Sequence, residues 1–452
     1  MPATNTINPR LVAIYIISRV IESKSYADIL LDYFFKKNKV TLRDRRFIAE
    51  LVHGTLRWKK KIDWILQQAY NGDWKKLPVM IKYVLNIGLY QIMYLDKVPD
   101  YASVNEAVRI AVQKEGLIWG RVVNGILRNI IRNPEIKKIP MLKKNPVKTL
   151  SLKWSHPEWL VEKWINELGV ERTNSLCKAN NQRPILSIRI NRSVSNLKTV
   201  EKALAAQKIM TRKSSLLEEF LIVSSGGYKI TSTTLFKKGS FTIQDISAGF
   251  ASHLLSPQPG DVIVDAAAAP GGKTTHCADL AEDKAIIIAC DHHPVRIKMV
   301  EENYKRLKYK NIYPVIADSR SLPLKEPVDK ILLDAPCSGL GDLRRKSEIK
   351  LMRDFRHISD LVKLQQQLIN SAASQLKPGG VLVYSTCTLL PEENEKIIEK
   401  FLKDHKNFAI DNAKRFIHSA VVTKEGFVKT WPDQHNINGS FCVRLIKRVD
   451  KK

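Results

Sequence analysis

The first third of the chain has the hydrophobic spacing of α-helices. Apolar residues recur every three or four positions, which places them on one face of a helix, and no alternating strand pattern intrudes before about residue 140. This spacing predicts an all-α helical bundle over residues 1–140. Within it, Ser103 is a predicted N-cap, and Glu106 three residues later would complete a capping box. Examples of the apolar positions are Phe47, Leu51, Val52, Leu56, Ile81, Val84, Leu85 and Leu89.

The pattern changes after residue 132. Residues 133–150 contain three prolines and five lysines, which is typical of a linker. A helical, Trp-rich segment, Trp154–Lys178, precedes Arg183–Arg192, where apolar and polar residues alternate as in a strand. That strand could be an exposed basic edge or an ordinary half-buried strand. We therefore expect a small α/β connecting domain over residues 150–238.

From Gly260 onward, short apolar segments alternate with helical ones. This order predicts a Rossmann-like, doubly wound α/β domain over residues 239–452. Each predicted strand ends at a carboxylate or a hydroxyl, and ligands of such sheets bind beyond the carboxyl ends of the strands. The predicted strands are Asp261–Asp265, Ala285–Asp291, Ile312–Asp318, Lys330–Asp334 and Val381–Ser385.

Composition and charge narrow the classes of partner that the chain can have. The 452 residues carry a formal charge of +29, and residues 1–150 hold 27 basic and 12 acidic side chains, so both halves of the chain are basic. A charge surplus spread over folded segments favours a polyanionic partner, either nucleic acid or an anionic membrane surface, although general Lys-rich usage is an alternative. Met1–Arg10 lacks a signal pattern, and no apolar run approaches the length of a membrane span. We expect a cytoplasmic protein with no membrane partner.

The six cysteines are scattered, without the spacing of a zinc cluster, so neither a metal nor a structural disulfide is expected. Two of them, Cys337 and Cys387, follow the fourth and fifth predicted strands and should lie at the same edge of the sheet. The other four fit the usual role of a small buried side chain.

The turn after the first predicted strand reads A-A-A-A-P-G-G-K-T, and a Walker A motif would need Gly where Ala267 stands. Two glycines after a proline instead permit close contact with an adenosine-bearing cofactor. Asp291 could accept both ribose hydroxyls, and Asp318 would lie near an adenine. Helix capping would explain one of these carboxylates but not the set. The predicted cofactor contacts of the turn are Ala267, Ala268, Ala269, Pro270, Gly271, Gly272 and Lys273.

Three phrases in the α/β part resemble those of a known family. D-A-A-A-A-P-G-G-K-T, D-A-P-C-S-G-L-G and Y-S-T-C-T-L-L-P-E-E-N-E look like the RNA cytosine-C5 methyltransferases that use S-adenosylmethionine. In the helical part, S-V-N-E-A and V-N-G-I-L resemble the RNA-binding NusB family. Together they resemble the small-subunit rRNA cytosine-C5 methyltransferases of the RsmB/Sun type over essentially the whole chain.

The resemblance implies a mechanism. Carbon 5 of cytosine is a poor nucleophile until a thiolate adds at carbon 6, and we expect Cys387 to be that nucleophile. The resemblance assigns the later release of the C5 proton to Cys337. It also makes Asp334 a cofactor contact, while Asp334 could equally bind the cytosine edge, with Lys273 balancing its charge. Two departures from the usual family text, Ala267 and Asp342, remove no proposed reacting group, and Asp342 places a negative charge beside Arg344 and Arg345.

The expected substrate is therefore 16S rRNA before the small subunit is fully assembled. The sequence does not indicate a protein partner. A tRNA cytosine-C5 methyltransferase would keep the same catalytic residues but is disfavoured by the NusB-like phrases. A non-catalytic RNA-binding scaffold is disfavoured because both cysteines and the cofactor turn are intact. Assays on tRNA beside naked rRNA, and methyl transfer beside cofactor binding, would separate these alternatives.

Overall fold

The structure is a computed structural model in which residues 7–139 and 145–449 are described. Residues 140–144 of the predicted linker and residues 1–6 of the N-terminal segment lie outside these described residues. The helices are α1 (Pro9–Glu22), α2 (Ala27–Lys37), α3 (Leu42–Ala69), α4 (Val79–Tyr94), α5 (Asp100–Glu115), α6 (Leu117–Arg132), α7 (Pro146–Trp154), α8 (Glu158–Leu168), α9 (Val170–Asn180), α10 (Leu197–Ala206), α11 (Thr234–Lys237), α12 (Ile246–Leu255), α13 (Gly272–Leu280), α14 (Pro294–Leu307), α15 (Ile349–Met352), α16 (Phe355–Ser374), α17 (Glu395–Asp404) and α18 (Pro432–His435). The strands are β1 (Leu186–Ile190), β2 (Met210–Lys213), β3 (Phe220–Ser225), β4 (Phe241–Ile243), β5 (Val262–Asp265), β6 (Ile286–Asp291), β7 (Ile312–Ile316), β8 (Val328–Asp334), β9 (Leu376–Thr386), β10 (Phe408–Asp411), β11 (Val428–Thr430) and β12 (Ser440–Lys447).

The chain divides into two compact units. Unit 1 comprises Met1–Gln182 with Leu343–Met352, and unit 2 comprises Arg183–Asp342 with Arg353–Lys452. The described part of unit 1 is helical, and unit 2 contains both sheets, which confirms the predicted order of a helical part and an α/β part. The domain boundaries at residues 140, 150 and 238 stay predictions. Among the described residues, no helix combines the length and the apolar character that a membrane span requires.

The core of unit 1 is built from the periodic apolar residues of its helices. Ile17 of α1, Leu51 of α3, Leu85 of α4 and Leu127 of α6 belong to one hydrophobic cluster and have 0% exposure. Burying a side chain of this size contributes about 1.5 to 3 kcal/mol relative to leaving it exposed. The apolar residues with helical spacing are therefore the residues that form this core, which is why their 3.6-residue period predicts the helices.

The predicted capping box is wrong. Helix α5 begins at Asp100 after Pro99, so Ser103 lies inside the first turn. The carbonyl of Pro99 already accepts the backbone N–H groups of Ala102 and Ser103, which starts the helix four residues before the predicted position. The Ser103 hydroxyl donates to that same carbonyl at 3.4 Å.

Unit 1 also holds a segment from the second half of the chain, Leu343–Met352. Arg344 is 1% exposed, and its guanidinium donates to the Ala179 carbonyl at 2.9 Å and to Gln182 Oε1 at 3.2 Å. Its own carbonyl accepts a 2.9 Å bond from Arg57. The Arg344 side chain is therefore a structural anchor of unit 1 rather than an exposed basic group for RNA.

The larger sheet of unit 2 has the order β10-β12-β9-β8-β5-β6-β7, with β11 paired to β12. Strands β5 to β9 are parallel, whereas β12 runs antiparallel to β9, β10 and β11. Central strands such as β5 and β8 are covered on both faces, as continuous apolar runs require. This mixed, mostly parallel sheet confirms the predicted Rossmann-like fold.

The smaller sheet has the order β2-β3-β1-β4, so β1 is an internal strand. An exposed basic edge is therefore the wrong interpretation of this segment. Arg189 and Asn191 are each 1% exposed, while the side chain of Arg192 is 51% exposed. The alternating charge pattern could not show that two polar side chains of this strand have buried partners.

Asn191 is a buried hub of unit 2. Its amide nitrogen donates to the carbonyls of Gly239 at 2.9 Å and Leu307 at 2.7 Å. Its amide oxygen accepts the backbone N–H of Ser193 and the hydroxyl of Tyr309, each at 3.1 Å. Both N–H groups of this amide are thus used inside the protein, and its oxygen shares the single Tyr309 hydroxyl proton with Asp279 Oδ1, which lies 2.9 Å from that hydroxyl.

The substitution Asn191→Asp should destabilise unit 2 by about 2 to 5 kcal/mol, because a carboxylate cannot donate to two buried carbonyls and brings an unpaired charge. Urea unfolding followed by circular dichroism measures the loss. The matched control is Asn407→Asp, since Asn407 is exposed. Equal midpoints for the two variants would contradict the assigned role of Asn191.

Candidate active site

Polar side chains converge at the carboxyl edge of the parallel strands. Asp265, Asp291, Asp334 and Ser385 lie at or next to the ends of β5, β6, β8 and β9. Strand β5 lies between β6 and β8, so the strand order reverses at β5. This is the position at which open α/β sheets bind their ligands. Strand β7 ends at Ile316, two residues before Asp318, which caps a short 3₁₀ turn instead.

The glycine-containing turn connects β5 to α13. Gly271 has φ +96°, a conformation that disfavours other residues, and a Cβ there would lie 3.2 Å from the Val300 backbone. A Cβ at Gly272, the first residue of α13, would meet nothing within 4 Å. The turn therefore leaves open space at the helix N-terminus, where backbone N–H groups favour a ligand of negative or polar character.

A cavity of about 260 Å³ adjoins this turn. Of the predicted cofactor residues, Ala267, Asp291 and Asp318 line it, whereas Ala268 and Ala269 are buried behind the turn and Pro270 is exposed. Sequence reasoning missed several lining residues, because only the folded chain brings them here. They are Ala266, His292, Arg296, Ala317, Ser319, Arg320, Pro336, Leu364 and Leu368.

The cavity has the chemistry of an adenosine site. Asp291 is 2% exposed, and one of its oxygens accepts the His293 backbone N–H at 3.0 Å while the other lies 3.5 Å from Arg296. Asp318 pairs with Arg320, whose hydrogen bonds lower the pKa of Asp318 to about 2. Carboxylates can accept ribose hydroxyls and an adenine amine, and the apolar lining suits a flat ring. The residues present fit a nucleoside-bearing cofactor.

Asp334 is held by two neighbours. The Lys273 ammonium lies 2.6 Å from one carboxylate oxygen, and the Ser385 hydroxyl donates to the other at 2.7 Å. Burial alone would lower the pKa of Lys273, but the charge and hydrogen bond of Asp334 outweigh burial and raise it. Lys273 is thus a fixed cation beside Asp334, as the sequence predicted. Ser385 was missed as a site residue, although its place directly before T-C was a usable signal.

A buried carboxyl group lies behind this pair. Asp265 is 1% exposed, and Thr274 donates to its Oδ2 at 2.6 Å. Burial, opposed in part by the Thr274 bond, raises the pKa of Asp265 to about 7. Its Oδ1 is a buried atom without a hydrogen-bond partner. The carboxyl group is therefore partly protonated near neutral pH, which reduces the negative charge next to Asp334.

The two cysteines of the predicted pair meet at this edge. Their Sγ atoms are 3.4 Å apart, and the Cys387 backbone N–H also points to the Cys337 sulfur at 3.4 Å. Cys387 is exposed and Cys337 half-buried, whereas the other four cysteines are buried. The hydrogen bond with Cys387, followed by burial and nearby negative charges, raises the pKa of Cys337 well above its ordinary value. The protonated Cys337 thiol can therefore donate to the Cys387 sulfur.

A second cluster of titratable residues joins β3, α12 and α13. Glu219 Oε1 accepts His253 Nε2 at 2.8 Å and His276 Nε2 at 2.9 Å. Three such ligand atoms could hold a metal ion. However, Arg189 Nε donates to Gln244 Oε1 at 2.7 Å, which turns the Gln244 amide nitrogen toward His276 Nδ1 at 3.5 Å. This contact favours the tautomer in which His276 Nε2, the atom that a metal would need, donates its proton to Glu219, so the three side chains form a hydrogen-bonded tie.

Comparison with known proteins assigns three parts of the chain to known families. The family model described as 16S rRNA methyltransferase RsmB/F matches residues 252–446, and the NusB family matches residues 7–132. Residues 156–229 match the ferredoxin-like domain of RsmF/B-like methyltransferases. The chain is 35% identical to a probable ribosomal RNA small subunit methyltransferase B of Synechocystis, covering 98% of this chain and 100% of the relative. A protein of the same description from Bacillus subtilis is 33% identical over 97% and 98%.

Two solved structures are similar to this chain. The crystal structure of PH0851 is similar with a TM-score of 0.80 and 28% identity, covering 98% of this chain and 100% of that one. NSun6 from Pyrococcus horikoshii, solved with SFG, has a TM-score of 0.59 and 28% identity, covering 65% and 99%. The first of these likenesses extends across both the helical part and the α/β part of the chain.

The hydrogen-bonded tie predicts how stability depends on pH. Burial and the nearby Arg189 charge lower the pKa of His276 from 6.5 to about 3. Between these values the unfolded chain binds a proton that the folded chain does not, so stability is lost as the pH falls below 6.5. The contribution of this group is about 1.4 kcal/mol per pH unit.

Urea unfolding between pH 7 and pH 5 measures this slope. His276→Gln, which keeps a donor for Glu219, should flatten it. His292→Gln is the control, because the His292 side chain is 71% exposed. An unchanged slope in His276→Gln would mean that His276 is not held neutral.

Proposed function

The chain belongs to the RsmB/F family of 16S rRNA methyltransferases, and we propose that it methylates carbon 5 of a cytosine in 16S rRNA through a covalent bond from Cys387 to carbon 6. It is an S-adenosylmethionine-dependent methyltransferase. The observation that carries the proposal is the meeting of two thiols, 3.4 Å apart, at the edge where a nucleoside-bearing cofactor fits.

The cofactor supplies an electrophilic methyl group on its sulfonium. Asp291 would accept the ribose hydroxyls, Asp318 would lie toward the adenine, and Leu364 and Leu368 would pack on the ring. The turn from Ala267 to Gly272 would contact the remainder of the cofactor through its backbone. These residues bind and orient the methyl donor, and the cysteines act on the cytosine.

Cys387 would begin the reaction. Its thiolate adds to carbon 6, and the electron pair of the C5–C6 double bond moves to carbon 5, which then attacks the methyl group. The Cys337 thiol, protonated in the resting pair, donates toward the Cys387 sulfur and so favours the thiolate there. The exposed sulfur of Cys387 is also the one that a base could reach.

Cys337 would end the reaction. Once Cys387 is bonded to carbon 6, its hydrogen bond, the largest of the causes that raise the pKa of Cys337, is lost, and Cys337 would then release its proton to solvent. Its thiolate then removes the C5 proton, the C5–C6 double bond re-forms, and the bond from carbon 6 to sulfur breaks. Atoms and charges balance, and the enzyme returns to two cysteines sharing one hydrogen bond.

Asp334 would orient the base. Lys273 and Ser385 hold its carboxylate in place, and a carboxylate accepts the exocyclic amine of cytosine well. The same group lies at the end of β8 beside the cofactor turn, so it would also contact the methyl donor.

The substrate would be small-subunit rRNA in the cytoplasm, before the subunit is complete. The names of the relatives, the NusB-family match and the charge of +29 support an rRNA substrate. Carbon 6 can be reached only when the cytosine is unstacked, so the target would lie in a loop or be flipped out. Methyl transfer to naked 16S rRNA, with tRNA as the comparison and bisulfite sequencing to locate the product, tests the substrate.

The two cysteine variants should fail differently. Cys387→Ala should abolish both turnover and the covalent adduct, because no thiolate can reach carbon 6. Cys337→Ala should accumulate a protein–RNA species that survives denaturation, because the adduct forms but cannot eliminate. Denaturing gel electrophoresis with labelled RNA measures both. An adduct in Cys387→Ala and none in Cys337→Ala would reverse the two roles.

The substitution Asp291→Ala should weaken S-adenosylmethionine binding by about 1.5 to 3 kcal/mol for each lost charge-assisted hydrogen bond to ribose. Affinity for RNA should stay nearly the same. Isothermal calorimetry measures the cofactor, and Glu302→Ala, an exposed position on α14, is the control. Wild-type cofactor affinity in a folded Asp291→Ala protein would exclude the ribose contact.

A further inference from the structure

Two consecutive residues, Glu393 and Asn394, contact both cysteine-bearing turns. They follow Cys387 in the segment P-E-E-N and have 0% exposure. Their side chains are polar, so burial is costly unless every polar atom finds a partner. Apart from Gln365, the side-chain partners of these two residues are adjacent in sequence to Cys337 or Cys387.

Glu393 fixes the turn that carries Cys337. Its Oε1 accepts the backbone N–H of Ser338 at 2.8 Å, and its Oε2 accepts the Ser338 hydroxyl at 2.5 Å. Gln365 of α16 donates to Glu393 at 3.0 Å and to the Pro336 carbonyl at 2.9 Å. The residues on both sides of Cys337 are thus held by one carboxylate and one amide.

Asn394 fixes the turn that carries Cys387. Its Oδ1 accepts the Thr386 hydroxyl at 2.6 Å, and its Nδ2 donates to the Thr388 carbonyl at 3.0 Å. These residues flank Cys387 on both sides. The hydroxyls of Ser338 and Thr388 are 2.8 Å apart, which links the two turns directly.

From these contacts we propose that Glu393 and Asn394 form a clamp that sets the separation of the two thiols, and that both are positioning residues for methyl transfer. The proposed function supplies the role of the thiols, on which this part of the inference rests. The clamp acts by fixing the distance between the two sulfur atoms. Charge-assisted bonds to a buried carboxylate are stronger than neutral ones, so the turn holding Cys337 is stiff.

The clamp also has a rigid support. The Tyr384 hydroxyl donates to the Glu393 carbonyl at 2.7 Å, and Tyr384 has 0% exposure in β9. A backbone contact from the central sheet and a side-chain contact from α16 therefore hold Glu393 itself. Misplacing a reacting group by about 1 Å can cost about 100-fold in rate, so a support of this kind matters for catalysis.

Thiol geometry can be measured without methyl transfer. Diamide removes two electrons and two protons from two adjacent thiols, which gives a disulfide and the reduced hydrazine. In the full-length protein the other four cysteines are buried, so the pair Cys337–Cys387 should react first. Alkylation and mass spectrometry give the rate, and Cys337→Ala, which cannot form this disulfide, gives the background.

The test variants are Glu393→Gln, which replaces an acceptor with a donor, and Ser338→Ala, which removes one hydroxyl. We expect the disulfide rate to fall about tenfold or more and kcat on 16S rRNA to fall about 100-fold, with KM for S-adenosylmethionine within about twofold of the wild-type value. The matched control is Glu399→Gln on α17, since Glu399 is exposed. It should leave all three values unchanged.

Disulfide rates equal to the control in the folded variants would overturn the clamp, whatever happens to kcat. If Glu393→Gln does not fold, Ser338→Ala decides by the same criterion. A slower disulfide in the variants, together with normal methyl transfer by Cys387→Ala, would refute the proposed function and leave the clamp standing.

Discussion

The arrangement of the active edge depends on the parallel pairing of β8 with β9. In this register Asp334 is opposite Ser385, so the turns that follow the two strands leave the sheet side by side. Cys337 comes three residues after Asp334, and Cys387 comes two residues after Ser385. A slip of one residue would turn every side chain of one strand to the other face, and the thiols would no longer meet.

The charged side chains at this edge are compatible with a stable fold only because each has an ion-pair or hydrogen-bond partner. Lys273 neutralises Asp334, and Glu393 receives its hydrogen bonds from the backbone and hydroxyl of Ser338 and from Gln365. An unpaired buried charge would cost several kcal/mol. The same bonds that make burial tolerable also fix the positions of reacting groups, so stability and preorganisation of this site have one origin.

Several features could be predicted from the sequence. Helical periodicity, strand-end carboxylates and the glycine turn correctly indicated the fold and the edge at which polar groups gather. The N-cap prediction failed because a second local signal was stronger. Ser103 looked like an N-cap, but Pro99 starts α5. The pattern of the strand that carries Arg189 and Asn191 left an exposed basic edge and a half-buried strand both open, and buried partners more than 40 residues away exclude the exposed edge.

The sequence by itself determined the element types, the positions of Cys337, Cys387, Asp291 and Asp334 at strand ends, and the family of the chain, because these follow from local periodicity and short motifs. Only the tertiary structure decided the 3.4 Å separation of the thiols, the Lys273–Asp334 contact and the roles of Ser385, Glu393 and Asn394. Distances between turns 50 residues apart depend on strand order, register and side-chain packing. None of these is encoded by the spacing of neighbouring residues.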